Sequence, residues 1–198
     1  MAGADEAGRG SLAGPLVAAA VLIDYGTLSR RDRRALSELD DSKVRSPEER
    51  EELYPRVLRA AARVAVTVRC ARGIDARGLH VTNLAALARS LERVAVPQAA
   101  CLIDGFSVPG CSVAHRAVID GDARSAAIAA ASVVAKVVRD RTMRRLAALY
   151  PHYGFSSHVG YITPGHSAVV RERGPSEIHR RSFEARCYAE QLSEPDAA

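Results

Sequence analysis

Residues 126–131 read Ala-Ala-Ile-Ala-Ala-Ala and open a stretch, 125–150, with no proline or glycine. Alanine is the best helix former, and its short side chain lets a helix lie close against a sheet. The sequence therefore predicts one long helix over 125–150, packed on strands. The apolar run 16–23, Leu-Val-Ala-Ala-Ala-Val-Leu-Ile, reads as a buried strand, and Gly14-Pro15 before it marks a bulge or strand start. Further strands are expected over 64–68, 101–103 and 112–119. Ser46-Pro47-Glu48-Glu49 is a capping box with proline at the first helical position. Its helix should run to about residue 62, kinked or broken at Pro55. Residues 81–94 read as an amphipathic helix, 29–41 as a loop or short helix, and 151–183 as loop-rich. Alternating strands and helices predict an α/β domain. At 198 residues one domain is expected, here 1–190, followed by a disordered tail, 191–198.

Composition narrows the function classes. No apolar run reaches the ~18 residues that span a membrane, and no charged segment followed by an apolar one opens the chain as a secretory signal would. The cysteines at 70, 101, 111 and 187 have neither CxxC nor zinc-ligand spacing. They read as reduced thiols of an intracellular, cytoplasmic protein. The formal charge is +5, and a basic surface favours polyanions because neutralised phosphates release counterions.

Against that basic background, acids stand at the ends of apolar strands. Asp5-Glu6 lies against Gly8-Arg9-Gly10. Asp104 closes the 101–103 strand, and Asp122 lies between a strand and the long helix. Carboxylates bind hard cations, glycines let backbone approach a ligand, and arginine matches phosphate geometry. Open α/β sheets gather ligands at strand ends. Any one of these acids alone reads as a solvated turn residue; together they point to a metal site beside a phosphate-binding surface. Asp140 competes with Asp122 for the fourth position. The two are 18 residues apart, about 25 Å along a helix, whereas paired catalytic ions sit ~4 Å apart. Arg139 and Arg141 flank Asp140, which favours an ion-pair role for it, and Asp122 is the choice.

The ordered set of motifs resembles the bacterial ribonuclease HII family over nearly the whole chain. It comprises Asp5-Glu6-Ala7-Gly8-Arg9-Gly10, Leu12-Ala13-Gly14-Pro15, Asp41-Ser42-Lys43, Ile103-Asp104-Gly105 and Gly121-Asp122. It continues with residues 128–140, Tyr153-Gly154-Phe155, His158-Val159-Gly160-Tyr161 and His179-Arg180-Arg181-Ser182-Phe183. The resemblance implies a ribonuclease H-like fold: a mixed central sheet flanked by helices, with a C-terminal helical and loop segment. It implies two-metal hydrolysis with Mg²⁺ or Mn²⁺ held by Asp5, Glu6, Asp104 and Asp122. The substrates implied are RNA–DNA hybrids and duplex DNA carrying single ribonucleotides, cut 5′ to the ribonucleotide. Gly8, Arg9 and Gly10 would sense the ribose 2′-hydroxyl, Tyr161 would pack on the neighbouring sugar, and Ser42 and Lys43 would lie near substrate phosphates. A monomer is expected.

Three positions depart from the family pattern. Ser11 stands where proline is usual, Asp120 where lysine is usual, and Val159 where lysine is usual. Loss of two lysines should weaken phosphate attraction, and Asp120 adds a charge that competes as a ligand. His158, His166 and His179 have no metal-ligand spacing and read as structural more than phosphate-contacting; Arg180 and Arg181 read as backbone contacts or a solvated turn. Two other readings are a junction resolvase of related fold and a non-catalytic nucleic-acid-binding protein. A resolvase has no 2′-hydroxyl to sense, and four acids without metal would repel nucleic acid.

Overall fold

The computed structural model describes residues 1–39 and 46–189. Ser42 and Lys43 lie outside the described residues, as does the tail 191–198. Five strands form one mixed sheet: β1 (Ala2–Ala7), β2 (Leu16–Leu22), β3 (Arg63–Arg69), β4 (Cys101–Asp104) and β5 (Arg116–Val118). Their order is β3-β2-β1-β4-β5. β1 pairs antiparallel with β2 and parallel with β4, and β4 pairs parallel with β5. β2 is buried along its whole length, which is why it reads as an unbroken apolar run rather than an alternation.

Helices cover both faces. On one side α1 (Arg30–Ser37), α2 (Pro47–Ala60) and the long α5 (Ala126–Leu149) pack on Val17, Ala19 and Val21. On the other, α3 (Ala71–Arg77) and α4 (Leu79–Val94) pack on Ala2, Ala4, Leu16, Ala18 and Ala20. Alanine on both sides of the contact lets α5 sit very close to β1. A methyl group at Gly3 would fall inside the backbone of Ala127 and Ile128, so this strand position has room for glycine alone. The described residues end in three short helices, α6 (Phe155–His158), α7 (Pro164–Arg173) and α8 (Arg186–Ala189).

The long helix and the α2 capping box stand as the sequence predicts: Ser46 accepts from Glu49 N while Glu49 accepts from Ser46 N. Two expectations need correction, and one element was not foreseen. Of the kink or break expected at Pro55, the break does not occur: Pro55 lies inside α2, which runs on to Ala60, and burial of Leu53 and Val57 outweighs one missing donor. The strand expected over 112–119 pairs only over Arg116–Val118, since Ser112 and His115 are used in side-chain bonds to Glu92 and Val113. α3 has no counterpart in the sequence reading, because its N-cap residue, Cys70, makes no capping side-chain bond.

Candidate active site

The sheet itself brings the acids together. Ala4 of β1 is in register with Ile103 of the parallel strand β4, so the next residues, Asp5 and Asp104, stand side by side where that pairing ends, while β1 runs on to Ala7 against β2. Glu6 follows Asp5 at the same end. The Asp104 Oδ1 accepts from Gly121 N at 2.7 Å, which ties the end of β4 to the 3₁₀ turn Gly121–Ala123. Asp122, buried in that turn, therefore follows directly on the residue bonded to Asp104. The structure thus gathers Asp5, Glu6 and Asp104, with Asp122 on the adjoining turn.

Asp5 is 3% exposed. Burial, with Glu6 and Asp104 beside it, pushes its carboxyl up to about 7 against the favourable bonds from Ser132 and from Glu6 N. Like charges gathered in a dry site disfavour ionisation, and a cation relieves that repulsion. The donors are all hard oxygens, which suits Mg²⁺ or Mn²⁺. Among the described residues no group of three or more His, Cys, Asp or Glu side chains is placed to hold a metal ion. Mg²⁺ keeps several waters and takes only a few carboxylates, so a bound ion would draw on Asp5 and its neighbours Glu6 and Asp104 together with water.

A cleft of about 300 Å³ opens here, lined by Asp5, Glu6, Gly8, Arg9, Gly10 and Tyr161, with Arg50, Ser132 and Lys136 on its wall. The turn after β1 is held from beneath by two buried guanidiniums. Arg139 donates to Pro15 O and Ala13 O, and Arg180 donates to Gly14 O and Arg9 O. Both are fully buried. Gly8 has φ +83 and lies against the Arg139 side chain, so a larger residue fails there on two counts. Arg180 is therefore an internal brace and presents nothing to solvent, a correction to its reading as a basic surface turn. Its motif position gives no sign of this, because its burial depends on carbonyls 166 and 171 residues away in sequence.

Tyr161 faces the cations of Lys136 and Arg139, at 5.2 and 5.1 Å from its ring. Its carbonyl accepts from His166 Nδ1 at 2.8 Å. That assigns the Nδ1 proton of His166 and leaves its Nε2 to accept from His179 Nε2, 3.0 Å away. His179 Nδ1 in turn accepts from Ser176 N. Burial, with His166 next, pushes His179 down to about 3. These histidines form a neutral, structural chain around Phe155, not phosphate contacts.

Asp140 is taken up by cations: Lys136 at 2.7 Å, Arg139 at 3.9 Å and Arg50 at 4.0 Å. Arg141, expected beside it, pairs with Glu51 instead. Asp120 is exposed at φ 51 and lies outside the cleft lining. Ser11 is buried with no hydrogen-bond partner for its hydroxyl, and Val159 occupies the left-handed region at φ 43. Ser132, Lys136 and Arg50 belong to the site yet have no role in the sequence reading; a lone serine in an alanine-valine helix face is the one signal that could have found Ser132.

Comparisons with known proteins bear on the family and the fold. The family model for ribonuclease HII matches residues 2–186. A ribonuclease HII of Salinispora tropica is 50% identical over 183 residues, 92% of this chain and 66% of that protein. One from Rhizobium johnstonii is 46% identical over 184 residues, 92% of this chain and 77% of that protein. The chain thus spans about two thirds of the length of the Salinispora relative. Among solved structures, ribonuclease H2 of Pyrococcus horikoshii OT3 superposes with a TM-score of 0.80 at 25% identity, covering 98% of this chain and 99% of that one. Ribonuclease HII in its complex with PCNA from Archaeoglobus fulgidus gives 0.76 at 26% identity, covering 91% of each chain. The fold is the α/β ribonuclease H-like fold, and the chain belongs to the ribonuclease HII family.

Proposed function

We propose that this chain is a divalent-metal-dependent endoribonuclease that hydrolyses RNA strands paired with DNA and cuts 5′ to single ribonucleotides in duplex DNA. One observation carries the reading: Asp5 and Glu6 line one cleft with the Gly8–Gly10 turn, and the β1–β4 register sets Asp104 next to Asp5. Its family membership supports the reaction class. Asp5, Glu6, Asp104 and Asp122 would hold the ions. When bound, Mg²⁺ or Mn²⁺ supplies an activated water and neutralises charge on the scissile phosphate.

The protein's own residues do the rest. Ser132 hydrogen-bonds the Asp5 carboxylate and orients it. The bare backbone of Gly8 and Gly10 lets a ribose approach closely, and the 2′-hydroxyl is the group that tells RNA from DNA there. Tyr161, its backbone fixed by His166, packs on the adjoining sugar. Lys136 and Arg50 place positive charge on the wall where phosphates pass. Ser42 and Lys43 would add phosphate contacts. The enzyme acts as a monomer in the cytoplasm, and no described helix is long and apolar enough to cross a membrane.

The test is a DNA duplex with one embedded ribonucleotide, incubated with Mg²⁺ or Mn²⁺. A single cut 5′ to the ribonucleotide, lost in EDTA and absent on all-DNA duplex, is expected. Cleavage of all-DNA junctions would favour a resolvase, and binding without cleavage a non-catalytic role.

A further inference from the structure

The Gly8–Gly10 turn has one side chain, Arg9, and the structure fixes it from an unexpected direction. The Arg9 guanidinium lies 4.6 Å from the centre of the Phe106 ring. Among the described residues it makes no ion pair with a carboxylate. Its backbone is already held, since Arg180 donates to the Arg9 carbonyl at 2.8 Å. The orientation of the side chain is thus left to the aromatic face.

Phe106 is well placed to impose an orientation. It follows Asp104 by two residues, and its N–H returns to the Asp104 carbonyl at 2.7 Å. Gly105, at φ +69, makes that tight turn and bonds Val118 O. Two residues on, Val108 is buried, and its N–H donates to His115 Nε2. His80, in the first turn of α4, meets the Phe106 ring edge-on at 5.5 Å and 71°. The ring is therefore pinned by the loop that carries Asp104 and by the start of a helix on the far face of the sheet.

We propose that Phe106 is a positioning residue for ribonucleotide recognition: its ring, braced by His80, holds the Arg9 guanidinium and so sets the turn that reads the ribose. The assignment rests on the reading of that turn given above. It links sensing and chemistry through one short loop, because Asp104 and Phe106 are two residues apart. A guanidinium held on a ring also loses less side-chain freedom when substrate arrives.

The experiment is a double-mutant cycle on single-turnover cleavage of a duplex with one ribonucleotide, using Phe106→Leu and Arg9→Ala singly and together. Phe106→Leu keeps apolar bulk and removes the π face. It should slow cleavage by about three- to tenfold, the range a partly exposed cation–π contact supports, with an unchanged melting temperature. Phe106→Tyr keeps the face and should restore the rate to within twofold. In the Arg9→Ala background, Phe106→Leu should have no further effect. Independent, multiplying losses would overturn the proposal, since they mean that Phe106 acts on substrate or on folding without Arg9. A Phe106→Leu rate within twofold of wild type would overturn it as well. Wild-type protein that leaves the ribonucleotide uncut sinks the functional reading instead, which separates the two failures.

Discussion

At the scale of single residues, the two aspartates that competed for one place now have different surroundings. Asp122 is buried on the turn tied to Asp104, whereas Asp140 is held by Lys136, Arg139 and Arg50. Asp122→Asn should cut the single-turnover rate at least a hundredfold with little change in stability, because a neutral amide binds Mg²⁺ poorly. Asp140→Asn strands buried cations and should cost about 3 kcal/mol of stability; its rate per folded molecule should stay within a few-fold of wild type. The reverse pattern would make Asp140 the fourth ligand. Asp5 supplies a pH signature. Folded protein keeps the Asp5 proton up to about 7, whereas the unfolded chain releases it near 3.8. The folded state thus binds more protons across that window, so this group's contribution falls as pH rises through it and levels off above about 7. Urea unfolding in EDTA should show Asp5→Asn gaining on wild type from about pH 4 to about pH 7. A constant difference would mean that Asp5 ionises normally.

At the scale of elements, the fold was readable where one local signal sufficed. The alanine run gave α5, the capping box gave the start of α2, and the apolar run gave β2. α3 escaped because its first turn has no capping side chain. The 112–119 strand was over-read because its apolar residues serve the α4 side of the core, as Val113 does, without pairing to a strand. The acids were legible as strand-end residues, and parallel register then explains why two of them meet. The braces were not: Arg139 and Arg180 look like surface charge until distant carbonyls bury them. The closeness of α5 to β1 was also invisible, since Gly3 bears no mark of its neighbour. Gly3→Ala should drive the two elements apart, costing roughly 1–3 kcal/mol by overpacking, and should lower the rate by shifting Asp5. Thermal unfolding with the cleavage assay tests both; a stable, fully active Gly3→Ala protein would show that the helix can move without cost.

For the whole molecule, the concentration of carboxylates at one end of the sheet sets a link between metal and stability. Divalent ions that bind only the folded chain stabilise it by about 2.7 kcal/mol at a hundredfold excess over Kd. Mg²⁺ or Mn²⁺ should therefore raise the melting temperature at neutral pH. The rise should shrink toward pH 5, as protons compete for the acids. Asp104→Asn removes one charge from beside Asp5 while keeping an oxygen that can accept from Gly121 N. It should melt higher than wild type in EDTA and gain less from metal. A lower melting temperature in EDTA with an undiminished metal shift would make Asp104 a turn residue only.

The C-terminal segment is laced to the turn after β1: Ala13 N bonds Gly160 O, Gly14 N bonds Ile178 O, and Arg180 N bonds Leu12 O. Met143 of α5 fills the junction, fully buried, against Gly14 and Gly160, where a methyl on either glycine would crowd its thioether. The chain has one other methionine, Met1, which is 39% exposed. The pair makes a chemical clock. Peroxide can convert Met1 to the sulfoxide at once, but it reaches Met143 only when the segment lifts from the turn. Timed mass spectrometry should therefore find one fast and one slow addition of oxygen, the slow one located in the peptide containing Met143. Binding of ribonucleotide duplex across Tyr161 and the Gly8–Gly10 turn should slow the second addition further; equal rates with and without duplex would mean that the segment opens independently of the site. The second oxidation should also inactivate the protein, because a polar sulfoxide has no partner in that apolar junction.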